Sequence, residues 1–289
     1  MTSHDVVAIL RKKIGIKKIG HSGTLDPFAT GVLVIGINNA TRLFEYLESD
    51  KVYIAQITFG IDTDTNDITG KVLHENSSFP NINSILEKLN IFKGKINQVP
   101  PIYSAINING TRAYKLARNN KINIIDLKGR EVEIYSIDVV SYSDASNSNG
   151  ILLLKLRIHC SGGTYIRSIA RDLGKALNTC AVLSALERVQ IGRHFSFTES
   201  TKLESIDNIT WKQFLIKPQD VSPLQRINLS SLQIKDIIYG KSITINQSSV
   251  HEINKPLLMV DNNNNLIAVG ILTNDCIIKP VKVFSTHEY

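Results

Sequence analysis

The chain has 289 residues, 43% of them hydrophobic and 20% charged, with a formal net charge of +7. That length predicts one large domain plus a smaller one, each able to bury a core, and the positive balance favours a polyanionic partner. No apolar run approaches the roughly 18 residues needed to span a bilayer, and MTSHDVVAILRKK lacks the apolar stretch and cleavage site of a signal peptide, so a soluble cytoplasmic protein is expected.

Residues 5–14 read as a helix, with Val6, Ile9, Leu10 and Ile14 near helical spacing and basic residues on the other face. A loop follows, then a continuous apolar run of strand length at 32–37, a helical pattern at 40–47 and an alternating strand at 51–59. A short helix is predicted at 84–92, strands at 132–142 and 151–160, and a helix at 164–177 with Ile166, Ile169, Leu173 and Leu177 facing inward. The mixture predicts an α+β domain around a central, mainly antiparallel sheet.

Between 195 and 223 the patterns weaken, and Pro218 and Pro223 punctuate the chain. This places a domain boundary near 223, giving units 1–223 and 224–289. The second should hold a helix at 232–239 stopped by Gly240, then short strands at 257–260, 266–272 and 276–284. The run DNNNN at 261–265 fits a hairpin turn, because Asn tolerates positive φ.

The segment GHSGTLDPFATGVL at 20–33 combines glycines that permit tight turns with His21, Ser22, Thr24 and Asp26. Taken alone, Asp26 before Pro27 could simply cap a helical turn. A phosphate-binding loop over Gly15 to Ser22 fails, since His21 stands where a lysine is required. The acidic cluster Asp62, Asp64, Asn66 and Asp67 is not a calcium loop, because an EF-hand starting at Asp62 needs Gly and Glu where Asp67 and Leu73 stand; it reads as the turn after the Tyr53 strand. Cys160, Cys180 and Cys276 have no C-x-x-C spacing, which argues against both a zinc site and a disulfide framework.

The fourteen-residue string as a whole closely resembles the catalytic segment of the TruB family of tRNA pseudouridine synthases. KVYIAQITFGIDTDTNDITG, QVPPIYSAINING, CSGGTYIRSIARDLG and KPVKVF resemble further segments of that family, in their expected order. The resemblance implies a pseudouridine synthase fold with a small, β-rich, PUA-like RNA-binding module at the C-terminus. It also implies a cytoplasmic enzyme that isomerises the T-loop uridine at tRNA position 55 by base flipping, without metal or cofactor. No obligatory protein partner and a monomeric state are expected. A tRNA-folding chaperone that has lost turnover and an RNA-guided synthase within a ribonucleoprotein are the alternatives.

By the same resemblance Asp26 is the nucleophile, Arg167 pairs with it, and Tyr53 stands beside the target base. Tyr165 and Leu186 line the uracil site, and His21 contacts RNA around the flipped nucleotide. Lys12, Lys13, Lys17 and Lys18, together with Arg112, Lys115 and Arg118, are candidates for the RNA backbone. Family members usually carry a further strand and a Lys-Pro-containing turn ahead of a TSHDVV segment, which here stands at the start of the sequence.

Overall fold

The computed structural model describes residues 1–76, 79–108, 110–119, 127–143, 152–245, 253–273 and 276–284, with only the backbone of residues 114, 115 and 118. The RNA-backbone candidates Lys115 and Arg118 therefore fall outside the described side chains. Two compact units emerge. One comprises Leu25–Val32 and Ser49–Ser200; the other is built from Met1–Thr24, Leu33–Glu48 and Thr201–Tyr289. No helix among the described residues is long and apolar enough to cross a membrane.

The first unit is organised by a seven-stranded sheet. Six strands run antiparallel in the order Phe195–Ser196, Ala181–Ile191, Lys51–Phe59, Leu153–Cys160, Arg130–Ser143 and Gly94–Gln98; the short Thr30–Gly31 strand adds in parallel to Ala181–Ile191. Alternation puts Tyr53, Ala55, Ile57 and Phe59 on one face beside Leu154, Leu156 and Ile158 of the neighbouring strand. The helices Ile82–Leu89 and Ile166–Ala176 cover this layer through Ile85, Leu89, Ile166, Ile169 and Leu173. Asn81 accepts from Ser84 N and so caps the first of these helices.

In the other unit, helix Ser3–Ile14 starts at Thr2 with a capping box to Asp5 and ends at Gly15 in the left-handed region. Its Val7 and Leu10 pack with Ile19, Leu203 and Ile206. Strands Ile19–His21 and Ile35–Ile37 pair antiparallel. A five-stranded sheet follows in the order Arg226–Asn228, Pro256–Val260, Leu266–Leu272, Ile277–Val283 and Ile243–Thr244, with helix Ser231–Ile238 contributing Ile237 to its core. The DNNNN turn places Asn264 at φ 59°, and Asp261 collects the backbone N–H groups of Asn263 and Asn265.

Two expectations need revision. The apolar run at 32–37 is not one strand: only Ile35–Ile37 is extended pairing, with Thr30–Gly31 separate from it. Its backbone groups serve different partners, since Val32 N donates to Arg188 O and Val34 O accepts from Ser22 N. Residues 40–47 form a 3-10 helix, Asn38–Tyr46, rather than an α-helix.

Candidate active site

Asp26 sits in a turn closed by Ala29 N donating to its carbonyl at 2.9 Å, so it caps no helix. The loop then pairs Thr30 and Gly31 with Glu187 and Arg188, which fixes the carboxylate beside the Ala181–Ile191 strand. Gly31 is needed there: its φ is +107°, and a Cβ would lie 2.2 Å from the Arg188 carbonyl oxygen.

Arg167 lies in the first turn of the Ile166–Ala176 helix, whose start is clamped from outside. The Gln98 side chain accepts from Tyr165 N at 2.8 Å and donates to Tyr165 O at 3.1 Å, and Ser168 Oγ donates to Val99 O. Spacing alone would have put Arg167 and Arg171 on an exposed polar face; both are buried instead. Arg167 donates through Nε to Asp26 Oδ2 at 2.9 Å and through Nη2 to Asp26 Oδ1 at 2.7 Å. This two-bond fork sets the carboxylate plane as well as its place. Further bonds from Nη1 to Thr65 O and from Nη2 to Tyr103 O leave the guanidinium little freedom.

A second carboxylate, Asp67, stands 3.7 Å from Arg167 Nη1 and is itself held by Thr65 Oγ1, Thr69 N and Thr69 Oγ1. Burial pushes the Asp26 carboxyl above the ordinary aspartate range, the Arg167 guanidinium pulls it back down, and Asp67 adds to the upward push. The part-buried Asp26 carboxyl thus lies next to the cation that favours its ionisation. It remains 27% exposed at its side chain, which gives a substrate access.

Tyr53 and Leu186 belong to the same buried layer, against which Leu25, Phe28 and Ala29 of the Asp26 loop pack. Burial drives the Tyr53 hydroxyl up to about 12, with Arg188 opposing through a side-chain hydrogen bond. Tyr165 is raised too, chiefly by burial. The structure therefore gathers Asp26, Tyr53, Tyr165, Arg167 and Leu186 in one unit.

His21 belongs to the other unit, where it ends the Ile19–His21 strand opposite Ile35. The basic residues of that unit divide. Lys13 Nζ donates to the carbonyls of Leu203, Glu204 and Ile206, Arg11 donates to Ile19 O, and Lys18 to Asn39, whereas Lys12 and Lys17 are simply exposed. Arg112, in the first unit, is exposed and donates to Ala105 O.

Three residues at this site escaped sequence reasoning. Asp67 looked like one of four polar turn residues, and nothing in TDTND marks which is buried. Gln98 gave no signal. Arg188 did: two residues beyond Leu186 on an alternating strand, it had to share the inward face. Among the described residues, no group of three or more His, Cys, Asp or Glu is placed to hold a metal ion.

The chain is similar to known proteins in sequence and in fold. The family described as TruB family pseudouridylate synthase (N terminal domain) matches residues 11–166. The chain is 38% identical over 274 residues to tRNA pseudouridine synthase B of Prochlorococcus marinus, covering 92% of this chain and 83% of the relative. To the Trichormus variabilis protein of the same name it is 40% identical over 259 residues, covering 87% and 85%. A chain from the solved structure of an H/ACA RNP bound to a substrate RNA containing 2'-deoxyuridine superposes with a TM-score of 0.68 at 19% identity, over all of this chain and 83% of that one; this likeness is one of fold. Fold and site together define a pseudouridine synthase, α+β around a central antiparallel sheet with a PUA-like C-terminal sheet. Within that class, the chain belongs to the TruB family of pseudouridylate synthases.

Proposed function

We propose that this protein isomerises uridine to pseudouridine in tRNA, at the T-loop uridine of position 55, with Asp26 as the nucleophile. The observation that carries the reading is the two-bond Asp26–Arg167 pair, displayed on the loop that bears the family's fourteen-residue segment. Isomerisation breaks the N1–C1′ bond, turns the base, joins C5 to C1′, and moves one hydrogen from C5 to N1. Nothing is oxidised, so the chemistry asks for no redox cofactor. An ionised carboxylate serves whether it attacks C1′, attacks C6 or takes a ribose proton on a glycal route, and Arg167 both favours that ionised form and aims it.

Tyr53, Tyr165 and Leu186 supply the apolar walls that keep detached uracil in place, with the Tyr53 ring available to stack on the base. The target base must leave a folded arm, at a cost of roughly a few kcal/mol. Phosphate contacts offset this. Exposed Lys12, Lys17, Lys18 and Arg112 suit that role, and His21 suits contact near the flipped nucleotide. Residues 224–289, with their five-stranded sheet, act as the PUA-like RNA-binding module. The enzyme works alone in the cytoplasm, as a monomer.

The test uses the purified protein and an unmodified tRNA transcript. Pseudouridine should form at the single T-loop position, and Asp26→Asn should bind the transcript yet give no product. A wild-type protein that binds tightly without turnover would refute the reading in favour of a folding chaperone.

A further inference from the structure

Arg188 heads the fully buried side chains by size, with 0% exposure. It stands directly across from Tyr53 in the pairing of Ala181–Ile191 with Lys51–Phe59, and the two side chains are hydrogen-bonded. Its Nε donates to Val32 O at 2.8 Å, while Val32 N donates to Arg188 O at 2.8 Å. Burying a guanidinium this completely is costly, and that cost is recovered only through specific polar partners. The partners here are a tyrosine hydroxyl and the end of the Asp26 loop. That is an arrangement for chemistry more than for packing.

We infer that Arg188 is a positioning residue for the isomerisation: it holds the Tyr53 oxygen as acceptor of the uracil C5 proton and ties that tyrosine to the Asp26 loop through Val32. The inference rests on the function proposed above. Once C5 is joined to C1′, C5 still carries its original hydrogen. When the Tyr53 oxygen takes that proton, the C5–H electron pair becomes the C5–C6 double bond and the C6–N1 pair returns to N1. The phenol has released its own proton to solvent beforehand and N1 takes one up from solvent, so the net change is one hydrogen lost from C5 and one gained at N1. A guanidinium donating to the phenol oxygen favours the form able to accept.

The surroundings explain why such help is needed. Burial, Cys160 from the Leu153–Cys160 strand and Asp26 from its loop all oppose ionisation of Tyr53, and Arg188 alone among these neighbours favours it. Lys51, two residues before Tyr53, is itself held below the usual lysine range by burial and by Arg188.

The experiment compares Arg188→Met and Arg188→Lys, each alone and combined with Tyr53→Phe, in single-turnover assays on transcripts carrying uridine or [5-²H]uridine. Loss of proton-transfer assistance predicts a fall of about 10²-fold for Arg188→Met, with tRNA affinity retained and a primary C5 isotope effect emerging. Arg188→Lys should recover part of the rate. In the Tyr53→Phe background the Met substitution should cost little more. An equal loss in that background without an isotope effect, or full activity of Arg188→Met, would overturn the inference. Should the Met chain fail to fold, 3-fluorotyrosine at position 53 decides by ¹⁹F titration: it should ionise at higher pH in Arg188→Lys than beside Arg188, and an unchanged titration refutes the contact. A wild type without turnover would sink the functional reading while leaving that titration to judge Arg188 independently.

Discussion

Arg167 is shared by two carboxylates, and the sharing makes opposite predictions for them. Removing the Asp67 charge by Asp67→Asn should lower the Asp26 pKa, because Asp67 pushes it up, so the acid limb of kcat/KM moves to lower pH. The rate should nevertheless fall, since Arg167 loses one of its tethers. Arg167→Met removes the downward pull instead, moves the acid limb to higher pH, and leaves the buried Asp67 and the part-buried Asp26 without their cation. Breaking a buried pair in this way generally costs about 3–5 kcal/mol, which urea denaturation would register. A pH–rate series on the two variants checks both signs. Shifts in the same direction would show that Arg167 does not stand between the two acids electrostatically.

At the scale of elements, the Asp26–Arg167 pair depends on two clamps. Gly31→Ala forces a Cβ into the Arg188 backbone at a left-handed φ, where strain alone costs about 1–3 kcal/mol; the Asp26 loop should lift from its strand, with lower stability and a larger loss of kcat than of tRNA affinity. Gln98→Leu strips the Tyr165 N–H of its partner, at about 1–3 kcal/mol, and takes one donor from its carbonyl, which keeps Ser168 N and Ile169 N; it should slacken the turn that carries Arg167. Thermal unfolding together with single-turnover rates would report each.

These elements were unevenly legible in the sequence. Lys51–Phe59 and Leu266–Leu272 match the expected bounds, since alternation or a short apolar run between turn residues is a local signal. The 32–37 run misled because hydrophobicity says nothing of where hydrogen-bond partners lie, and those of Val32 and Val34 are Arg188 and Ser22, on separate segments. Asp26, Tyr53 and Arg167 were named as candidates through the family resemblance. Asp67 and Gln98 owe their importance to contacts with residues 100 and 67 positions away in the chain, respectively Arg167 and Tyr165, which no local pattern encodes. Arg188 was within reach of simple period-two reasoning.

For the molecule as a whole, charge and construction separate two lysines that look alike in the sequence. Lys17→Met should flatten the salt dependence of tRNA binding by about one unit of slope and leave stability unchanged, as expected for one lost phosphate contact. Lys13→Met should do the reverse: its ammonium holds three backbone carbonyls, and their loss should cost about 1–3 kcal/mol in denaturant with the salt slope intact. Filter binding across a salt series, beside urea melts, distinguishes the pair.

Those three carbonyls also impose an order on biosynthesis. Lys13 meets the Leu203 carbonyl across 190 positions, and Val7 and Leu10 of the same helix rest on Leu203 and Ile206. At ribosomal speeds of about 5–20 residues per second, the helix therefore waits roughly 10–40 s for its partner segment to be made. During that interval its apolar face has Ile19 and Ile35 but lacks Leu203 and Ile206, while the Ser49–Ser200 stretch is already being completed. Co-translational folding of this helix is thus completed only once residues 203–206 have been made.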